Sequence, residues 1–198
     1  MNDYSSNNNF KNQFRIIAGK WRSRKISFPG EVPSLRPTPD RVRETLFNWL
    51  QQKIDGAHCL DLFAGSGALA LEACSRNAGS VVALDSDSDV MKSLSDNCQL
   101  LDCNNMNLIT ADAMQWLAHE KKDQYQFDIV FLDPPFGKNF LTDCCALLEA
   151  GNFLSPGAIV YLESEKSLND LILPEPWQLF KNKKAGQVYF GVCERLIN

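Results

Sequence analysis

From residue 58 onward the chain alternates short apolar runs with longer amphipathic segments, and this alternation narrows its fold more than any other feature. Candidate strands at 59–63, 80–84, 106–110, 127–132 and 158–162 are separated by helical patterns at 67–76, 87–101, 113–119 and 140–148. Repeated strand–helix–strand units predict a parallel sheet with helices on both faces, and such sheets bind ligands at the carboxyl ends of their strands. Two more strand-like runs, 177–181 and 187–193, follow without a helix between them. They predict an antiparallel hairpin added at one sheet edge. The fold class is therefore α/β, with a mainly parallel seven-stranded sheet. A chain of 198 residues, 44% of them hydrophobic, can bury one sizeable core but hardly two.

The first fifty residues read differently. Residues 1–9 are rich in Asn and Ser and nearly free of apolar groups, so a disordered tail is expected over 1–13. The runs 14–19 and 24–28 flank Lys20 and Trp21 and predict a β-hairpin. Pro29, Gly30, Pro33, Pro37 and Pro39 then keep the chain extended or turning. The next helix is expected to be capped by Thr38 or Asp40 and to carry Val42, Leu46, Phe47, Trp49 and Leu50 on one face. This gives a small N-terminal hairpin-and-helix extension over 14–52 and a catalytic domain over 53–198.

Net charge is −4, yet residues 1–50 carry nine Lys/Arg against four Asp/Glu, while the remainder carries eleven against twenty. A basic extension on an acidic body suits phosphate binding beside a small-molecule site, with Arg15, Lys20, Arg22, Arg24, Lys25, Arg36 and Arg41 as the candidate RNA contacts. A solvated surface hairpin is the competing explanation. No apolar run of about 18 residues can span a bilayer, and the polar N-terminus does not look like a signal peptide, so a cytoplasmic protein without a membrane partner is expected. Seven cysteines form no C-x-x-C pair and only two histidines accompany them, which predicts buried reduced thiols and no metal site.

Asp61-Leu62-Phe63-Ala64-Gly65-Ser66-Gly67-Ala68-Leu69-Ala70 leaves a predicted strand and enters a predicted helix, with Gly65 and Gly67 where the backbone must approach a nucleotide-like ligand. Asp85 ends the next strand twenty residues beyond Gly65, the spacing of a carboxylate that accepts from ribose hydroxyls. The loop also fits the G-x-G-x-x-A form of a dinucleotide site. Asp61, just ahead of it, tilts the choice toward S-adenosylmethionine, whose amino acid moiety is cationic. Phe63 falls in the same loop. Asp112 can accept from an adenine amine, or it can simply cap the following helix.

The fourth parallel strand delivers Asp133-Pro134-Pro135-Phe136 to the same end of the sheet. Prolines fix the backbone and donate no N–H, so the Pro134 carbonyl and the Asp133 carboxylate present two acceptors to one amine. An exocyclic base nitrogen is a poor nucleophile because its lone pair is delocalised. Two acceptors on its hydrogens favour the pyramidal, reactive geometry, and Phe136 can stack on the base. A sulfonium is already a good leaving group, so no strong general base is needed. Prolines that merely end a strand, with Asp133 as a helix cap, are the bland alternative.

Asp133-Pro134-Pro135-Phe136 resembles the (D/N)PP(Y/F) motif of amino-methyltransferases. More of the chain is similar to the RsmD family: 15–22, Leu35-Arg36-Pro37-Thr38, 40–50 and Lys184-Ala185-Gly186-Gln187. Ala18 and Ser23 stand where relatives are expected to have glycine. The resemblance implies a Rossmann-like class I S-adenosylmethionine-dependent methyltransferase fold, with S-adenosylhomocysteine as product. It also implies methylation of guanine N2 in 16S ribosomal RNA of the small subunit or its assembly intermediate, on a flipped base. A monomer is expected. Similar tetrapeptides serve adenine N6, cytosine N4 and amide methylation, so an adenine-N6 or other amino-methyltransferase acting on DNA or RNA is the alternative. An NAD-binding or catalytically silent RNA-binding protein would use the same fold.

Overall fold

The computed structural model describes residues 12–29, 38–120, 125–135, 137 and 140–196. Its extension is a two-stranded antiparallel hairpin, β1 (Asn12–Arg15) and β2 (Lys25–Phe28), followed by α1 (Asp40–Trp49). Then come β3 (His58–Asp61), α2 (Ala68–Ser75), β4 (Ser80–Asp85), α3 (Ser88–Leu100), β5 (Met106–Thr110), α4 (Ala113–His119), β6 (Phe127–Leu132), α5 (Phe140–Ala150), β7 (Leu154–Ser164), β8 (Trp177–Ala185) and β9 (Val188–Arg195). The seven-stranded sheet has the order β5-β4-β3-β6-β7-β9-β8. Strands β3 to β7 pair in parallel, and β9 runs antiparallel to both β7 and β8. The two central strands, β3 and β6, are neighbours, so the chain reverses its winding between them and opens a crevice at their carboxyl ends.

Alternation along the strands sorts the core into two layers. Cys59, Ala83, Ile129, Phe131 and Tyr161 face α1, α2, α3 and the hairpin, where they meet Leu46, Leu71 and Leu94. Leu60, Leu84, Val130, Leu132 and Leu162 face α4 and α5, where they meet Trp116, Leu117, Cys145 and Leu148. All seven cysteines are buried free thiols. Among the described residues no helix is long and apolar enough to cross a membrane.

The hairpin is built into the body. Phe14, Ile16, Trp21, Ile26 and Phe28 belong to the first core layer. The buried Glu72 of α2 accepts the Ile17 N–H (2.8 Å) and the Ala18 N–H (3.0 Å), and the Trp21 N–H donates to Ser75 Oγ (3.0 Å). Gly19 sits at φ +82, and a Cβ there would meet the Ser75 carbonyl oxygen at 1.8 Å, so the crossing of hairpin over α2 requires glycine. Ser23 adopts φ +69, the left-handed conformation that glycine takes without strain, whereas Ala18 has no such backbone.

Several expectations are corrected. Strand β1 begins at Asn12, two residues ahead of Phe14, and residues 1–11 of the expected tail lie outside the described residues. Helix α1 has Pro39 as its N-cap and no side-chain cap. Thr38 turns its hydroxyl to Asp133, while Asp40 is already inside the helix and takes the guanidinium of Arg43 (2.7 Å), a charge-assisted partner that outcompetes a backbone N–H. Strand β7 starts at Leu154 because the bulge between the Phe127 and Ile129 pairings accommodates Ser155-Pro156-Gly157, which reads as a turn. Strand β8 continues past the expected end at Lys181 to Ala185 through a lysine-rich stretch and forms the sheet edge.

Candidate active site

Three strand ends converge at the switch point. Asp61 ends β3 and pairs in register with Phe131 of β6, and Leu132 pairs with Leu162 of β7, so Asp133 and Glu163 are the next residues on adjacent strands. By alternation Asp61, Asp133 and Glu163 share the sheet face of Phe131 and Tyr161.

The loop after β3 is shaped by its glycines and by two aspartates. Gly65 (φ +49) and Gly67 (φ +78) both occupy the left-handed region, and Gly67 is the N-cap of α2. The Gly65 N–H donates to Asp85 Oδ2 (2.9 Å) and the Asp87 N–H to Asp85 Oδ1 (3.0 Å), which pins this loop to the end of β4. Asp61 is 1% exposed. Its Oδ2 accepts the Ala70 N–H (3.2 Å), one of the unpaired donors of the first turn of α2, while its buried Oδ1 has no partner. Burial pushes the Asp61 carboxyl up to about 7; the Ala70 N–H and, more weakly, the Phe63 N–H oppose this, and the Asp85 charge adds to it. An orphaned carboxylate oxygen beside an open glycine loop suits a cationic amino acid group, so the residues present fit S-adenosylmethionine.

Phe63 is half-buried and stacks on Phe140, with ring centroids 6.3 Å apart. Asp112 is the N-cap of α4: its Oδ1 accepts the Gln115 N–H (2.9 Å), and the residue is exposed. The capping role is thus real and leaves the other oxygen for a ligand.

On the β6 side, Pro134 is buried, Pro135 is exposed, and Phe136 lies outside the described residues. The Thr38 hydroxyl donates to Asp133 Oδ2 (3.3 Å). The Asp133 carboxyl is held well above the usual carboxylate range, chiefly by burial, then by the charges of Glu163 and Asp61, against which the Thr38 hydrogen bond acts. Glu163 is also shifted upward by burial. The buried Tyr161 hydroxyl donates to its Oε2 (2.7 Å), and burial together with the Glu163 charge holds the phenol itself in its neutral form. Next to these groups is a cleft of ≈ 260 Å³ lined by Pro134, Pro135, Phe140, Glu163 and Lys166, among others.

Of the basic candidates, Arg15, Lys20, Arg22, Arg24, Lys25 and Arg41 are exposed, and Arg36 lies outside the described residues. Lys20 sits over the Trp21 ring (4.2 Å), and Arg24 reaches the Leu100 carbonyl (3.5 Å). Arg43, which contributes to the positive charge of this region, is completely buried among Asp40, Glu72 and the carbonyls of Arg15 and Thr38. Among the described residues no group of three or more His, Cys, Asp or Glu is arranged to hold a metal ion.

Three residues escaped the motif reading, Glu72, Tyr161 and Glu163, and Thr38 entered it only as a helix cap and in a family segment, not as a partner of Asp133. Glu72 had a signal, as a lone charge within the apolar helix ALALEACS. Glu163 had a weaker one, as an acid at the end of a parallel strand.

The family model described as conserved hypothetical protein 95 matches residues 14–194. The chain is 43% identical over 189 residues to Ribosomal RNA small subunit methyltransferase D of Escherichia coli K12, covering 96% of this chain and 93% of that protein. It is 45% identical over 188 residues to the protein of the same name from Haemophilus influenzae, covering 94% and 96%. The solved yhhF structure from Escherichia coli superposes with a TM-score of 0.84 at 42% identity, covering 94% of this chain and 100% of that one.

Proposed function

The chain belongs to the RsmD family of methyltransferases, and from that premise we propose that it methylates the exocyclic N2 of one guanine in 16S ribosomal RNA, with S-adenosylmethionine as donor. The observation that carries the reading is the juxtaposition of Asp133-Pro134 with the orphaned Asp61 carboxylate at neighbouring strand ends. Asp61, the Phe63–Gly67 loop, Asp85 and Asp112 would hold the cofactor. Bound there, the cofactor would supply an electrophilic methyl on a sulfonium, a good leaving group.

The protein's own task is to orient the nucleophile. The Asp133 carboxylate accepts one amine hydrogen and the Pro134 carbonyl the other. This localises the nitrogen lone pair and aims it along the line of transfer. Positive charge develops on that nitrogen as the bond forms, so an under-neutralised carboxylate beside it stabilises the transition state more than the ground state. The methylated amine then releases its proton toward Asp133 and bulk water. Burial on the protein side and Phe136 above the ring would keep the flipped base in place. The exposed Arg15, Lys20, Arg22, Arg24, Lys25 and Arg41 supply the phosphate contacts, since they surround the hairpin that Glu72 and Ser75 tie to the catalytic core.

Mapping of methylguanine in ribosomal RNA from cells with and without the protein tests this reading, together with transfer of labelled methyl to small subunits isolated from the deficient cells. One N2-methylguanine that disappears without the protein and returns on incubation with it is the expected result. Label in adenine or cytosine overturns the assignment.

A further inference from the structure

Tetrapeptides like Asp133-Pro134-Pro135-Phe136 serve several planar amines, so base choice must reside elsewhere in the site. Glu163 stands next to Asp133 across the β6–β7 pairing, and the two carboxylates are built alike. Each has one oxygen held by a protein hydroxyl: Asp133 Oδ2 by Thr38 (3.3 Å) and Glu163 Oε2 by Tyr161 (2.7 Å). The second oxygen of each accepts no hydrogen bond from a described residue. Glu163 is 5% exposed, forms no ion pair among the described residues, and lines the cleft that begins at Pro134 and Pro135. A nearly buried carboxylate with one fixed and one open oxygen, facing a cleft, is an acceptor reserved for a donor that arrives from outside.

We propose that Glu163 selects guanine: its open Oε1 accepts the N1–H of the target base while Asp133 accepts from the neighbouring N2 amine. The proposal rests on the guanine reading above and adds the residue that enforces it. Guanine is distinguished by two donors on adjacent positions of its Watson–Crick edge, N1–H and N2–H. Adenine and cytosine also carry an exocyclic amine, but the ring nitrogen beside it is an acceptor. Two carboxylates side by side therefore match guanine, whereas for the other two bases a ring lone pair would face a carboxylate. The Tyr161 hydroxyl strengthens the choice because donation to Oε2 favours the ionised, purely accepting form of Glu163. A site built to satisfy a buried donor–acceptor pair rejects an analogue that lacks the donor more strongly than an apolar pocket rejects a shape change.

The decisive substrate pair is 16S ribosomal RNA carrying either guanine or 2-aminopurine at the mapped position, prepared by splinted ligation and assembled into small subunits. 2-Aminopurine keeps the N2 amine but presents an acceptor at N1. Native protein should methylate the guanine substrate at least about 100-fold faster. In Glu163→Gln the carboxamide can donate to that acceptor, so the preference should fall to within about tenfold of unity, with guanine methylation lowered about 100-fold. Equilibrium binding provides a readout separate from turnover: 2-aminopurine fluorescence should rise on extrusion into Glu163→Gln more than into native protein. S-adenosylmethionine affinity, measured by calorimetry, should match in both proteins and so report that the variant is folded. A native preference near unity overturns the role of Glu163 even if the variant does not fold, and an unchanged preference in a folded variant does the same. Methyl mapping to a base other than guanine in unsubstituted subunits overturns the guanine reading and this proposal with it, so the two failures are distinct.

Discussion

The molecule buries carboxylates in two places and treats them in opposite ways. Glu72, in the middle of α2, is completely enclosed and fully compensated: two backbone N–H groups, the Arg76 guanidinium (2.7 Å) and Arg43 (3.6 Å) converge on it. Asp61, Asp133 and Glu163, at the strand ends, have few donors and no cation partner among the described residues, and all three carboxyls are shifted upward by burial. A buried charge without compensation is costly, so where it persists the missing donors must come from something that binds. Compensation separates the two: Glu72 joins the hairpin to the body, and in the function proposed above the under-compensated carboxylates are the ones kept for ligand.

Each half of this comparison can be broken by substitution. Removing a partner from a buried ion cluster strands the others, so Glu72→Ala should lower unfolding free energy by about 3–5 kcal/mol in urea denaturation. Glu72→Gln, which can still accept a hydrogen bond, should cost less. Equal stability of native and Ala proteins would remove the structural role. The Asp133 carboxylate should behave in reverse. Asp133→Ala is expected to reduce methyl transfer about 100- to 1,000-fold while leaving S-adenosylmethionine binding intact and stability equal or higher, because an uncompensated charge has gone. Loss of stability in step with loss of activity would place Asp133 with Glu72.

The two halves were not equally legible in the sequence. The parallel core was readable because its central strands are buried on both faces and read as nearly unbroken apolar runs, as in Ile129 to Leu132. The site aspartates were readable because Asp61, Asp85 and Asp133 sit at the boundary between an apolar run and a turn. Partners joined through tertiary contact left no such trace. Thr38 reaches Asp133 across 95 residues and Ile17 reaches Glu72 across 55, and no local spacing encodes either contact. Counting charge along the chain likewise could not tell the buried Arg43 from its exposed neighbours Arg41 and Arg24.

That distinction yields a milder test on the hairpin surface. Replacing the exposed Arg22, Arg24 and Lys25 together by Ala should flatten the logarithmic dependence of RNA affinity on salt by about 2 to 3. Cofactor affinity and stability should not change. A salt dependence identical to that of native protein would return the hairpin to a purely structural role secured by Glu72.

The smallest effect expected is also the most direct measure of an under-compensated carboxylate. Asp61 holds its proton up to about 7 in the folded chain, far above the 3.8 of an ordinary aspartate. Below about pH 4 the folded and unfolded chains both keep this proton, and above about 7 both have released it. Between those limits only the folded chain holds it, so stability falls as pH rises through that window. Asp133 and Glu163 are shifted in the same direction, so Asp61→Asn should flatten the slope in part, as read from unfolding midpoints at pH 5, 6 and 7. A cationic ligand reverses the preference: its ammonium favours the ionised carboxylate, and S-adenosylmethionine should therefore bind native protein more tightly at pH 8 than at pH 6. In Asp61→Asn that pH dependence should shrink. If native protein binds the cofactor equally well at both pH values, Asp61 does not receive its cationic group, and the orphaned Oδ1 would be a cost of the fold with no ligand to offset it.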